Sequence, residues 1–131
     1  MMKRRGFSTL ELLASCFLLG VLATLCVQYG HAAAVQRRAL QQRMTAIQEA
    51  ASQLECLKAR PFDALTPQAA TEVRLSPPAE QFLPGGEVEV QIGEPAGTPP
   101  AKRIVVLVRW RGVDDRPLQP VRLVAWKYRT P

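Results

Sequence analysis

Residues 12–36 carry no charge, and within them residues 12–27, LLASCFLLGVLATLCV, are apolar apart from Ser15 and Thr24. Counted from Leu10, the run supplies the roughly 20 residues that a membrane-spanning helix needs. Gln28-Tyr29 gives it a polar and an amphipathic aromatic exit. From Arg37 the pattern becomes a stripe: Leu40, Met44, Ile47, Ala51 and Leu54 recur at alternating steps of four and three. Arg37, Arg38, Gln41, Gln42, Arg43, Gln48, Glu49, Gln53 and Glu55 surround it. This predicts an amphipathic helix that buries its stripe against one partner. A run of about two heptads is short for a coiled-coil seam, so an adjacent sheet is the expected partner. Lys58-Ala59-Arg60 sets cations where a helix C-terminus favours them, and Pro61 prevents continuation.

Proline distribution extends this picture. All 11 prolines lie at or beyond Pro61, and past Gly6 the first half holds only Gly20 and Gly30. A proline inside a helix costs about 3 kcal/mol, so its absence leaves residues 7–60 free to form one helix, roughly 80 Å long at 1.5 Å per residue. Beyond it, Phe62 and Leu65 are expected to tuck back onto the helix. Residues 66–86, rich in Pro, Ala and Gly, read as irregular with a short strand at residues 71–75. The alternation Glu87-Val88-Glu89-Val90-Gln91-Ile92 predicts a strand with one wet face, and residues 93–100 a loop. Residues 103–110, with the run Ile104-Val105-Val106-Leu107-Val108, read as the central strand. Residues 121–128 read as its antiparallel neighbour, joined through residues 112–117, a connection too long for a two-residue hairpin. The expected class is α+β: a long N-terminal α-helix, membrane-spanning in its first half, packed against a small antiparallel β-sheet.

A chain of 131 residues and 14.5 kDa has room for one membrane segment and one small domain. Its formal charge of +6 owes much to Lys3, Arg4 and Arg5. Without residues 1–6, fourteen cations face eleven carboxylates, leaving +3. The basicity is then largely a topological device by the positive-inside rule, and it requires no nucleic-acid surface.

Little in the head points to catalysis. His31 is the only histidine and stands at the membrane exit; no histidine pair or clustered cysteines offer ligands, so neither an enzyme, a metal site nor a cofactor is expected. Asp114-Asp115 reads as an exposed turn, because calcium asks for six to eight oxygen ligands and few other carboxylates lie nearby. Cys16 and Cys26 act as small hydrophobes within the apolar run. Cys56 reads as buried or free, with an intermolecular disulfide as the alternative. Trp110 and Trp126 read as core or cross-strand packing. Arg103, Arg109, Arg111, Arg116, Arg122, Lys127 and Arg129 concentrate positive charge in the last strands. A solvated sheet face, or one matched to an acidic neighbouring subunit, is the expected reading; binding of DNA phosphates is the alternative.

The sharpest signal is Lys3-Arg4-Arg5-Gly6-Phe7-Ser8-Thr9-Leu10-Glu11, running straight into the apolar segment. An Asp at a helix centre costs roughly 2.5–3.5 kcal/mol on the insertion scale and Glu is expected to behave alike, so a carboxylate kept there calls for a partner. An ordinary secretory signal with a small-x-small cut after Ala32 is the rival reading. Against it stand Glu11 and an apolar run longer than the usual 7–15 residues.

This segment resembles the class III signal of type IV pilins and type II secretion pseudopilins: a basic leader, Gly, a cut, then Phe and a Glu at the fifth mature position. The resemblance implies cleavage between Gly6 and Phe7 by the prepilin peptidase/methyltransferase and N-methylation of Phe7. It divides the chain into a cleaved leader at 1–6, a transmembrane and filament-core helix at 7–29, its amphipathic continuation at 30–60, and a periplasmic head at 61–131. Glu11 lies four residues beyond Phe7, about 6 Å along a helix axis, so it can pair with its own ammonium or with that of the next subunit. The second arrangement would fix the axial register of otherwise interchangeable apolar helices.

Within the family the small size and the segment ASQLECLKARPF at 51–62 look most like a minor pseudopilin of the I type in the type II secretion system. That implies other minor pseudopilins, the major pseudopilin, the inner-membrane assembly platform and the lipid bilayer as partners, with nucleic acid not expected. It also implies a single-pass location in a bacterial inner membrane. The K-type tip subunit typically lacks the fifth-position Glu. Major adhesive pilins usually close a C-terminal loop by a disulfide, and no Cys follows Cys56 here. A minor type IV pilin of pilus biogenesis or DNA uptake shares the signal.

Overall fold

The computed structural model describes residues 8–112 and 114–129. Helix α1 runs Thr9–Ala59, followed by a 3-10 turn at Phe62–Ala64, short helices α2 at Pro67–Thr71 and α3 at Pro77–Phe82, and strands β1 at Glu87–Gly93, β2 at Ala101–Arg109 and β3 at Val121–Tyr128. The strands form one antiparallel sheet in the order β1-β2-β3. The class is α+β, as expected, with β2 central. The chain divides into two compact units, Met1–Arg38 and Ala39–Pro131.

In the first unit every described residue of α1 is exposed. Two of its hydroxyls are satisfied within the helix: Ser15 Oγ donates to Glu11 O at 2.8 Å and Thr24 Oγ1 to Gly20 O at 2.8 Å. Such i−4 bonds hide hydroxyls from an apolar surround.

In the second unit α1 packs with a different face from the one expected. Gln42, Ala46, Glu49, Ala50 and Leu57 are buried, whereas Leu40 and Met44 are each 62% exposed and Ile47 43%. The buried face lies about one residue back, or roughly 100° around the helix. Of the expected stripe only Ala51 and Leu54 are half-buried. Large side chains marked one stripe in the sequence. The core takes the other: Ala46, Ala50 and Leu57 join its cluster, and Glu49 finds polar partners at Ser76 and Gln53.

Sheet register sets the core. Val88, Val90 and Ile92 of β1 pair with Val108, Val106 and Ile104 of β2, which pair in turn with Val121, Leu123 and Ala125 of β3. Ile104, Val106 and Val108 are fully enclosed and cluster with Ala46, Ala50, Leu57, Leu65, Leu75, Ala79, Leu83 and Trp110. Leu65 tucks into this core as expected, and Phe62 is half-buried.

Residues 66–86 depart from the expected irregular segment, and residues 71–75 form no strand. The prolines there start helices rather than break them, since a missing N–H costs nothing in the first turn. Pro67 follows Thr66, whose Oγ1 caps Ala69 N at 3.3 Å, and Pro77 follows Ser76. Gly85 then takes φ +58°, and Gly86 passes so close to its neighbours that a Cβ would stand 2.9 Å from both Leu75 Cδ1 and Leu83 O.

Candidate functional site

Lys3, Arg4, Arg5, Gly6 and Phe7 lie outside the described residues; Glu11 lies within them. It occupies the first turn of α1, where its N–H donates to Ser8 O at 2.9 Å. Free backbone N–H groups and the helix dipole favour a carboxylate at such a position by about 0.3–1 kcal/mol. Leu10, Leu12, Leu13, Phe17 and Leu18, all exposed, surround it with apolar surface. Among the described residues no ion pair reaches its carboxylate. The helix that follows is long and apolar enough to cross a membrane, with a mean hydropathy of 2.3 over its most apolar window and none of that window buried. Cys16, Cys26 and His31 lie on this exposed stretch.

In the second unit a set of polar contacts that hydropathy does not reveal ties α1 to the segment between α2 and α3. The Glu49 carboxylate accepts from Ser76 N at 3.0 Å, Ser76 Oγ at 2.7 Å and Gln53 Nε2 at 2.9 Å. Burial pushes this carboxyl up, but the three hydrogen bonds outweigh burial and hold it below the usual carboxylate range. Gln53 Nε2 also donates to Arg74 O at 3.2 Å.

Two paired lysines work at the end of the helix. Lys102 and Lys127 are cross-strand partners on the inward face of β2 and β3. Lys127 Nζ donates to Lys58 O at 2.6 Å and to Arg60 O, supplying the carbonyls that α1 leaves open at its C-terminus. Lys102, 9% exposed, donates to Phe62 O at 3.0 Å and Leu65 O at 2.9 Å, and its ammonium stands 4.7 Å from the Phe62 ring centroid. Arg129 covers the same ring at 4.9 Å and pairs with Asp63 at 2.5 Å. The strand expected from the sequence begins at residue 103 and leaves Lys102 outside it, and Lys127 is grouped there with a solvated or partner-matched basic face; both lysines instead point inward.

The other basic residues divide by position. Arg103, Arg109 and Arg122 are exposed on β2 and β3, with Arg109 held by Glu89 at 2.8 Å. Arg111 pairs at 3.1 Å with Asp115, which adopts φ 56° in the connecting turn. Trp110, just beyond β2, is buried at 3% exposure, and its Nε1 has no hydrogen-bond partner among the described residues. Of the two expected placements, core or cross-strand packing, Trp126 takes the second: it is 47% exposed, opposite Arg103 on the outward side of the sheet. Its position alternates with inward-facing Ala125 and Lys127, and that parity outweighs its size. Cys56 is exposed and free.

Among the described residues no group of three His, Cys, Asp or Glu side chains is placed to share a metal ion. An open depression of about 220 Å³ is lined by Val73, Arg74, Leu75, Glu80, Gly86, Glu87 and Val88. No family model, curated protein or solved structure matches the chain.

Proposed function

We propose that this chain is a non-enzymatic minor pseudopilin, a subunit that primes or tips the periplasmic filament driving type II protein secretion. The observation that carries the reading is Glu11 in the first turn of a membrane-length apolar helix, directly after Lys3-Arg4-Arg5-Gly6-Phe7. In lipid a lone carboxylate is costly, and an ammonium freed at Phe7 by proteolysis would neutralise it at hydrogen-bonding range. Pairing with the amine of the next subunit converts that cost into a register mark, since the flanking apolar surface offers none. The α+β head supports the reading in layout, with its helix closed by Pro61 and its three-stranded sheet.

Mass spectrometry of the membrane-extracted protein tests it. A mature chain beginning at N-methylated Phe7 is expected; an intact leader, or a start after Ala32, refutes it. Glu11→Ala is expected to leave cleavage intact while removing most of the subunit from its assembly, and wild-type incorporation would refute the register role.

A minor type IV pilin of pilus biogenesis or DNA uptake is the second reading, favoured by the exposed arginines of β2 and β3. Co-purification with pilus subunits rather than secretion subunits would select it.

A further inference from the structure

β3 is an edge strand whose one ladder partner among the described residues is β2; its Lys127 reaches the end of α1 from the inward face, and α2 lies against β1 at the other side of the sheet. It runs eight residues, VRLVAWKY, without a proline or glycine to blunt the edge. Arg129 N–H bonds to Pro100 O on the β2 side at 3.1 Å. By the alternation of an antiparallel ladder, the backbone groups of Arg122, Val124, Trp126 and Tyr128 therefore face the open edge. The side chains of the same four residues stand exposed on the outward face, Val124 at 44%, Trp126 at 47% and Tyr128 at 57%.

Charge identifies what would complete this edge. β3 carries cations and no carboxylate, and its outward register sets Arg103 beside Trp126 and Leu107 beside Arg122. On the far side β2 is already completed by a strand of acid and apolar alternation, EVEVQIG, whose Glu89 holds Arg109. Arg103 and Arg122 have no such neighbour among the described residues.

We infer that the open edge and outward face of β3 form a docking strip for an acidic, extended segment of a partner polypeptide. The segment adds as a fourth strand in the manner of β1, sets carboxylates on the outward face against Arg122 and lays its apolar side chains on the inward face beside half-buried Leu123 and Ala125. Arginine and aromatic rings would also suit single-stranded nucleic acid, but a row of unpaired backbone N–H and C=O groups is matched only by another strand. The inference stands independently of the filament reading, because it uses no residue of the stem.

The full chain in detergent micelles is titrated with an eight-residue peptide alternating Glu and Val, followed by tryptophan emission and calorimetry. With Trp110 buried, a blue shift on binding reports Trp126. Saturable binding is expected to weaken by about tenfold or more for a Lys-Val peptide, or when alternate peptide nitrogens are methylated so that the edge cannot pair. Arg122→Glu, at an exposed position, should reverse the preference toward the Lys-Val peptide. Equal binding of both peptides, or indifference to N-methylation, overturns the inference. So does displacement of the peptide by oligo-dT, or self-association of the chain that shields Trp126 without peptide.

Discussion

Glu49 is the side chain on which the packing of α1 turns, because it is nearly buried and three donors converge on it. Glu49→Gln keeps the size but loses acceptor capacity toward Ser76, and is expected to cost about 1–3 kcal/mol. The pH dependence follows from the lowered carboxyl. Its stabilisation is complete above the unfolded value near 4.5 and drains away as pH falls from there through the lower folded value. Thermal unfolding from pH 7 to 3 should therefore show the wild type converging on the Glu49→Gln protein below about pH 4.5. A gap that stays constant across that range would show the carboxylate to be uninvolved. Gly86 is the second such point. Gly86→Ala forces a methyl against the Leu83 carbonyl oxygen, which cannot swing aside as Leu75 can, so a loss of about 1–3 kcal/mol in urea unfolding is expected.

Elements differed in how plainly the sequence announced them. α1 was legible because proline is absent before Pro61, and the strands because residues 87–92 alternate with a period no helix shares and the apolar run 104–108 is short and rich in β-branched residues. The helix face was misread: Leu40, Met44 and Ile47 form the more apolar stripe, while the core takes the side with Ala46 and Ala50. Hydropathy measures transfer from water; fit of small side chains into the core and a buried hydrogen-bond cluster decided here. Ala50→Leu is accordingly expected to cost about 1–3 kcal/mol by overpacking, and Met44→Ala less than about 0.5 kcal/mol. The reverse ranking in denaturant unfolding would restore the stripe first read. α2 and α3 escaped notice because their prolines signal equally a stop and a first turn. Of the candidate site, Glu11 was legible as a charge in an apolar frame, but Lys102 and Lys127 were not. Their acceptors are backbone carbonyls 37 to 69 residues away, which leave no mark in side-chain pattern.

At the scale of the molecule, the division at Arg38 means that the second unit keeps its own helical segment, sheet and core. Residues 39–131 expressed alone are expected to unfold cooperatively, with a midpoint within about 5 °C of that of the full chain in detergent. A non-cooperative melt would show that the apolar stem contributes to the core. The lysine clasp bears on what this unit can withstand. Lys127 ties β3 to the last carbonyls of α1, and Lys102 ties β2 to the turn beyond. Tension arriving along the helix axis is thereby shared by two adjacent strands, instead of peeling one loop away from its end.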